Sequence, residues 1–432
     1  RYSSNIPAVL QNTQEGKQSM GLKATLTAAA LTVLALSCGH ALATEKLVLT
    51  ELLELARQRN PELAAMREMA ASIEAGSRAE GRLDDPTLKI ELEDLSMERP
   101  LEAGPGNAML TRYTVSQMFP FPGKLSLKER AASKEALSAR AAVAAGELEV
   151  AAMVKGAYYE YAFIEESIQV TKGIKELLSD ASRIAGTMYS TGQVSQQDVI
   201  KLTVEQSMLT SELITLEARR EAVRASIKSL VNMDQEEALT GQAELPRRRA
   251  SFDARSLMDA AMASAPGITV LKAESEADEL GAELAEKNYY PDFMVGVAPI
   301  QRDGRFESYD LMFQVNLPIW RGKYESLSNG AKARARAARS TLEAGRNKKA
   351  LEVKGAAIEV EAAEKQIELF ETSIVPQSEL SYESALKNYR SGSVGLIALL
   401  DTGRALKQTR TEFLKAVYEY NLRLANLERA SG

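Results

Sequence analysis

The chain has 432 residues, of which 26% are charged and only 6% are aromatic, and its formal net charge is −6. A mildly acidic chain of this kind has no general electrostatic attraction for nucleic acid, so we expect no nucleic-acid partner. Ala, Glu, Leu, Lys and Arg dominate long tracts of the sequence. That bias is typical of long helices and coiled coils.

A targeting segment is predicted near the N-terminus. The stretch MGLKATLTAAALTVLALSCGHALATEK contains a positive Lys23, an apolar run and an Ala-x-Ala cleavage site that ends at Ala43. The apolar run is too short to span a bilayer as a helix. We therefore interpret residues 1–43 as upstream residues followed by a signal peptide for export. An alternative is lipidation of Cys38, because Ala-Leu-Ser-Cys loosely resembles a lipoprotein processing site.

The mature chain is predicted to lack the Cys and His side chains on which many catalytic and metal sites depend. The single Cys and the single His, Cys38 and His40, both precede the predicted cleavage. A chain without them has no disulfide, no His- or Cys-based metal site and no His-dependent nucleophile. The stretch PFPGKLS also fails as a phosphate loop, because the first glycine is missing and no Ser or Thr directly follows the Lys. We predict a protein that is not an enzyme and binds no cofactor.

An internal repeat organises the mature chain. Pro61 and Pro86 recur 205 positions further on, and MYSTGQVS recurs 200 positions further on as NYRSGSVG. Each half is predicted to run helix, strand, loop, strand, very long helix, glycine turn, helix. We predict a first repeat over residues 44–239, a linker over 240–253 and a second repeat over 254–432.

The predicted strands are amphipathic. Apolar and polar residues alternate in TLKIELEDL and again in YDLMFQVNL. This period predicts a sheet with one apolar and one polar face, and strands of about nine to eleven residues can also cross a bilayer within a barrel. We predict that Gln314 and Asn316 face a lumen, and that the alternate residues contact lipid: Tyr309, Leu311, Phe313 and Val315.

Long helices follow each strand pair. No proline occurs from Lys124 to Ser190, which predicts a helical rod on the order of 100 Å. Pro376 is predicted to break or kink the matching helix of the second half. Apolar residues then recur every seven residues in each half, which predicts a coiled-coil seam: Leu202, Leu209, Leu216, Val223 and Leu230, and Leu399, Leu406, Phe413, Tyr420 and Leu427.

The sequence at the junction between strand and helical rod occurs twice, as FPFPGK and as LPIWRGK. Proline cannot continue a sheet ladder and glycine permits a tight corner. We therefore expect Pro120 with Gly123, and Pro318 with Gly322, to turn the chain into the rod. Four strands cannot close a barrel alone and open sheet edges are not tolerated in lipid, so several chains would have to contribute.

The repeat, the two junctions and the two tips YSTGQVS and YRSGSVG together resemble the TolC-like outer-membrane efflux proteins. The resemblance implies a mainly α protein with a membrane β-barrel. It would be a homotrimer in which four strands per chain build a twelve-stranded barrel in outer-membrane lipid of a Gram-negative bacterium. The long coiled-coil hairpins would form a periplasmic α-barrel. DDPTLKIELEDL and SQMFPFPGKLSLKERAA resemble the CzcC and CusC branch, which accompanies heavy-metal pumps of the resistance-nodulation-division type.

The resemblance also implies partners and site residues. An inner-membrane pump of that type and a periplasmic adaptor (membrane fusion) protein are the implied partners. Asp401 is the implied periplasmic gate residue, and Arg404 stands where family members often have a second acid. The implied adaptor-docking residues are Gly192, Val194, Ser195, Gly392, Val394 and Gly395.

The implied function is an exit duct for heavy-metal cations. Drug efflux and type I secretion remain alternative functions for such a duct. A soluble periplasmic coiled-coil scaffold is a further alternative, because it would explain the rods and the signal peptide and would leave the strands as ordinary sheet.

Overall fold

The computed structural model describes residues 47–95, 108–247 and 249–432. The predicted signal peptide, its cleavage after Ala43 and the alternative lipidation of Cys38 lie outside these residues. The described chain is mainly helical and contains an antiparallel sheet of four strands. That part of the predicted fold class is confirmed. No helix in the described ranges combines the length and the apolar character needed to cross a membrane.

The same order of elements occurs twice along the chain. The first series is α1 (Leu49–Arg59), α2 (Pro61–Ala79), β1 (Thr87–Leu95), β2 (Ala108–Phe119), α3 (Lys124–Ser190) and α4 (Gln196–Leu230). The second series is α5 (Ala254–Ser264), α6 (Pro266–Lys287), β3 (Phe293–Arg302), β4 (Arg305–Val315), α7 (Arg321–Leu369), α8 (Val375–Arg390) and α9 (Leu396–Ser431). A π-helical turn over Phe370–Ile374 joins α7 to α8.

Two helices precede each strand pair where the sequence predicted one. The repeated prolines, Pro61 and Pro266, occupy the first turn of α2 and α6. Proline suits that position because its missing N–H would have no intrahelical partner there. Asn60 caps α2, since its side chain accepts hydrogen bonds from the backbone N–H groups of Glu62 and Leu63 at 3.0 and 3.2 Å. The prolines therefore break the predicted helix into two.

The two rods differ as predicted. Helix α3 is continuous over 67 residues. In the second half the helical hydrogen bonds change to a π pattern directly before Pro376, and the Val375 N–H donates to the Phe370 carbonyl. Proline lacks an N–H and its ring displaces the carbonyl four residues earlier, so the wider turn accommodates it.

One of the two predicted corners is wrong. Gly123 adopts a φ of +92° directly before α3, which is the left-handed conformation that favours glycine. Gly322 instead lies inside the first turn of α7. The second corner is made before it, where the Ile319 N–H donates to Leu317 and the Arg321 N–H donates to Ile319, both at 2.9 Å. The second half therefore keeps the proline (Pro318) and the lysine (Lys323) of the junction, but its turn lies before Gly322 instead of at the glycine.

The sheet joins the two halves. Its strand order is β1-β2-β3-β4, so β2 pairs with β3 across the repeat boundary and β1 and β4 are its edges. The helices pack around two clusters of buried apolar side chains. Every residue of the predicted seven-residue seams is buried or packs against those clusters. The seams are therefore the core of the helical part.

The two halves also match contact by contact. The Glu74–Arg140 ion pair between α2 and α3 corresponds to the Glu279–Arg339 ion pair between α6 and α7. Side chains of the preceding helix also cover a glycine of each rod in the same way, Met66 over Gly146 and Leu271 over Gly345. Residues of α2 therefore match those of α6 at an offset of 205, and residues of α3 match those of α7 at an offset of 199.

Candidate functional site

One face of the sheet presents apolar side chains outward. Leu88, Val115, Val297 and Leu311 are cross-strand partners and form one row across all four strands. All four are exposed, Leu88 by 62% and Leu311 by 77%. Contiguous exposed apolar surface of this kind marks a contact with a partner or a membrane.

The residues predicted to contact lipid lie on this face. Tyr309, Leu311 and Phe313 are exposed on it. Val315 shares the face but is half-buried at the end of β4, where it pairs with Phe293. The structure thus brings the predicted set together, while their contact with lipid stays a prediction.

The opposite face is polar and better covered. Thr114 and Ser116 of β2 are buried there beside Ala298 of β3. Arg112 pairs with Glu93 at 2.8 Å and with Asp310 at 3.6 Å, so charges from three strands meet on this face. The two faces therefore differ in the sense that the alternating sequence predicts.

A compact cluster fixes the corner where β2 becomes α3. The Lys124 ammonium group is buried and donates to Asp292 Oδ1 at 2.8 Å and to the Tyr290 carbonyl at 3.2 Å. The same Asp292 oxygen accepts the Phe121 backbone N–H at 2.8 Å. The Phe121 and Tyr290 rings stack at a centroid distance of 4.5 Å. This cluster joins a corner of the first half to the segment between α6 and β3 in the second half.

The helical tips at the other end of the rods are near copies of each other. Gly192 and Gly392 adopt φ values of +72° and +74°. Each glycine N–H donates to the carbonyl three residues earlier, and each following N–H donates to the carbonyl five residues earlier. This is the Schellman arrangement, which satisfies the last carbonyls of a helix. The tip glycines are therefore required by backbone conformation.

The other predicted tip residues begin the next helices. Ser195 caps α4 in a reciprocal capping box with Asp198, and Gly395 precedes α9 in an extended conformation that any residue adopts. Val194 and Val394 are half-buried. The tips also differ, because Tyr189 is exposed whereas its counterpart Tyr389 is buried. Burial raises the pKa of Tyr389, and the charge of Asp198 adds to the effect.

Asp401 lies beside an ion pair that links the two halves. Arg404 donates to both carboxylate oxygens of Glu205, at 2.9 and 2.6 Å, and so ties α9 to α4. Asp401 is 64% exposed and lies 3.7 Å from Arg404. The hydrogen bonds and charge of Arg404 hold the pKa of Glu205 below its ordinary value near 4.5. The single predicted acid is therefore one member of a group of three charges.

Glu205 is the member that the sequence analysis missed. It lies between Leu202 and Leu209 on the buried side of α4, and its side chain is only 12% exposed. A carboxylate within an otherwise apolar seam is the signal that would have identified it, because buried charges need a partner. Exposed apolar side chains surround the pair on the outer side, and a groove of about 460 Å³ there is lined by Ile200, Val204, Met208 and Ile397.

Metal ligands are not grouped in the part of the chain that the structure describes. No three His, Cys, Asp or Glu side chains within it are close enough together to hold an ion. The charged groups near Asp401 are instead paired with arginine.

Comparison with known proteins supports the resemblance to efflux proteins. Residues 257–432 match the family model of the outer membrane efflux protein. The second half of the chain therefore resembles the outer membrane efflux proteins. Over 395 residues it is also 21% identical to the cobalt-zinc-cadmium resistance protein CzcC of Cupriavidus metallidurans, which covers 89% of this chain and 90% of that protein. The resemblance predicted from the sequence is confirmed.

Solved structures share the fold. The outer-membrane channel OprN superposes with a TM-score of 0.77 at 16% identity, over 89% of each chain. VceC of Vibrio cholerae gives 0.75 at 17% identity over 89% of this chain and 96% of that one. CusC gives 0.74 at 15% identity over 89% and 92%. The family and the OprN and CusC structures are those of efflux proteins and channels rather than enzymes.

Proposed function

We propose that this protein is the outer-membrane exit duct of a tripartite efflux system of the resistance-nodulation-division type, that it works as a homotrimer, and that it exports heavy-metal cations. The exposed apolar face of the four-stranded sheet carries the proposal. An apolar row at 42–77% exposure in one chain is stable where lipid replaces water. The helical rods leave the same sheet through the corners at Gly123 and Trp320, so they would extend from the membrane into the periplasm.

The proposed cargo rests on the relative CzcC. Its name assigns it to cobalt, zinc and cadmium resistance, and the similarity covers most of both chains. A duct need not coordinate its cargo, so the absence of a ligand cluster among the described residues is compatible with cation transport. The acidic groups near the tips, Asp401 and Glu205, carry the charge sign that attracts cations.

The proposed partners act at the tips. A duct that stayed open would leak, so its periplasmic end is narrowed at rest and opens when an adaptor protein engages the tips. The tips offer Val194 and Val394 on preformed Schellman turns, which present the same backbone geometry twice per chain. Such a repeated, rigid surface suits a repeated contact with an adaptor.

Metal tolerance and conductance test the function together. A strain that lacks the gene should lose tolerance to zinc, cobalt and cadmium and regain it with the intact chain, and the purified protein should conduct ions in planar bilayers. Drug tolerance measured in parallel separates the alternative cargo. A protein that washes from membranes without detergent and shows no conductance would contradict the duct and support a soluble scaffold.

A tip variant separates transport from docking. Val394→Asp should abolish metal tolerance while single-channel conductance is retained, because an unpaired charge at a protein joint is costly to bury. Val394→Ile is the matched control and should retain both activities. If Val394→Asp retains full tolerance, the tip is not the docking surface.

A further inference from the structure

Three methionines lie on the polar face of the sheet, near the corners where the strands become rods. Among the described strand residues, Met118 belongs to β2, Met294 to β3 and Met312 to β4. Each is an odd number of positions away from the residue of its own strand in the exposed apolar row, so all three side chains point to the opposite face. The alternating sequence assigns polar residues to that face, and the three thioethers depart from the pattern.

The strand pairing brings the three side chains together. Met118 and Met294 are direct partners of β2 and β3, and side chains at directly opposite positions have Cβ atoms about 4.5–5.5 Å apart. Met294 is opposite Gln314, so Met312, two positions earlier in β4, is its diagonal neighbour at about 7–8 Å. Methionine is unbranched and has three rotatable bonds, so its thioether can span these separations. The three sulphur atoms can therefore converge on one point beside Met294.

A glycine keeps the space beside Met312 open. Gly296 lies between Ser116 and Met312 in the neighbouring cross-strand row. A Cβ atom at Gly296 would be 2.9 Å from Met312 Cε and 3.1 Å from Ser116 Cβ, so the terminal methyl group of Met312 occupies the place of a side chain on β3. Met312 therefore extends from β4 across β3, two positions from Met294 on the same face.

The three thioethers are accessible from the polar side of the sheet. Met118 is 39% exposed, and Met294 and Met312 are half-buried. Asp292, two positions before Met294, is already bonded to the Lys124 ammonium group at 2.8 Å. An ion beside Met294 would therefore meet neutral sulphur ligands, and the carboxylate at the end of the strand is compensated by its own lysine.

We propose that Met118, Met294 and Met312 form a thioether site that binds a soft monovalent cation, Cu(I) or its heavier congener Ag(I). Thioether sulphur is a soft ligand that selects Cu(I), whereas zinc sites in proteins are built from Cys, His, Asp or Glu. Methionines are thus ligands of a different kind from these four residue types, which are not grouped in the described part of the chain. The site favours Cu(I) and Ag(I) over divalent zinc and cobalt.

The site adds a cargo class to the proposed function and in this respect rests on it, because the polar face lines a lumen only when the sheet is part of the proposed barrel. Met294 follows Asp292, which fixes the corner between β2 and α3, so the site lies where the helical part passes into the sheet. An ion site along a pore has to bind strongly enough for entry and weakly enough for release. Three neutral ligands around a monovalent ion meet both conditions. Such a cargo differs from the metals in the name of CzcC.

Silver binding to the purified protein tests the site. Ag(I) is titrated calorimetrically into the detergent-solubilised protein in a Cys38→Ser background, in nitrate buffer without chloride, and X-ray absorption identifies the atoms around the bound ion. We expect about one tightly bound silver ion per chain, with sulphur neighbours. Met294→Leu removes the central thioether at nearly constant volume. This variant should bind silver at least about tenfold more weakly, since even outer partners of a metal site change affinity by that factor.

Two further variants make the binding result specific. Met118→Leu should weaken silver binding in the same way, and its folding is not at risk because Met118 is exposed. Met109→Leu is the matched control, since Met109 is also exposed but lies near the opposite end of the same strand. It should bind silver like the parent protein. A parent that binds no silver, silver without sulphur neighbours, or equal binding by the parent, Met294→Leu and Met118→Leu would overturn the site.

Silver block in planar bilayers separates the site from the duct. If the polar face lines a lumen, bound Ag(I) should reduce the conductance of the parent protein, and Met294→Leu should need about tenfold more silver for the same block. Silver held by thioethers in a protein without conductance, or without block, would leave the site standing and contradict its position in a duct. Conductance in a protein whose silver has no sulphur neighbours would leave the duct standing and overturn the site.

Discussion

Replacing Leu311 by arginine tests whether the exposed face of the sheet contacts lipid. Leu311 lies in the apolar row of the sheet, paired with Val297, and about midway between the exposed Phe306 and Leu317. Its side chain is 77% exposed in one chain, so it makes few contacts that an arginine would remove. The effect of Leu311→Arg therefore depends almost entirely on what surrounds the face.

Water and lipid around this face predict different effects of Leu311→Arg on the free energy of unfolding. Against water, a substitution at such an exposed position changes the free energy of unfolding by about 0.5 kcal/mol or less. Against lipid, an arginine near the bilayer midplane on the outer face of a barrel costs about 2–4 kcal/mol. We expect the larger value for each copy of the chain, because the cross-strand row that contains Leu311 is apolar across all four strands.

Folding into lipid vesicles measures the difference. The free energy of unfolding is obtained by urea titration of the vesicle-inserted protein, and the yield of heat-resistant oligomer is followed on gels without boiling. Ser308→Arg is the matched control, since Ser308 lies on the polar face of the same strand and pairs with Ile300. The control should lose much less than Leu311→Arg.

Equal losses for the two variants would refute the orientation of the sheet. A loss below about 0.5 kcal/mol for Leu311→Arg, in vesicles that do contain folded protein, would mean that this face contacts water or is covered by protein. In that case the alternating pattern of β4 would describe an ordinary half-covered sheet.

Three further predictions concern the tips and the charges near them. Gly392→Ala should lower the free energy of unfolding by about 1–2 kcal/mol in chemical denaturation, because its φ of +74° is strained for any side chain. Gly395→Ala should lower it less, because its φ of −76° is open to any residue and only the cap preference of α9 is lost; equal effects would contradict the assigned turn. Asp401→Asn should lower cation selectivity and cation block in planar bilayers, and unaltered selectivity would mean that Asp401 does not line the pore. The pKa of Glu205 is lowered in the folded chain, so its bond to Arg404 stabilises the structure fully above pH 4.5, the ordinary carboxyl pKa, and this contribution is lost as pH falls through the lower folded pKa. Channel conductance should therefore rise only in that acidic range, and Glu205→Gln should remove this pH dependence of the conductance.

The ion pair near the tips shows that Asp401, the proposed gate residue, does not act alone. Arg404 holds Glu205 from the other half with two hydrogen bonds and also lies 3.7 Å from Asp401. Neutralising Glu205 would leave Arg404 to pair with Asp401 and would change the net charge of the three groups from −1 to zero. Selectivity measurements on Asp401→Asn and Glu205→Gln therefore need to be compared with each other.

The repeat made most of the fold predictable from the sequence. Uninterrupted helical residues from Lys124 to Ser190, seven-residue apolar seams and period-2 strands are local patterns, and each fixes an element because backbone geometry sets its period. The interruption at Pro376 was predictable for the same reason, since proline acts on its own turn.

The tertiary structure decided what the local patterns leave open. It divided the helix before each strand pair at Pro61 and Pro266, and it moved the second corner away from Gly322, because a helix can absorb a glycine when other residues make the turn. It also placed Glu205 against Arg404, 199 positions away. Sequence periodicity determines which residues share a face of a helix or strand. Only tertiary packing decides which of these faces meet and which stay exposed, because packing depends on contacts between residues far apart in the chain.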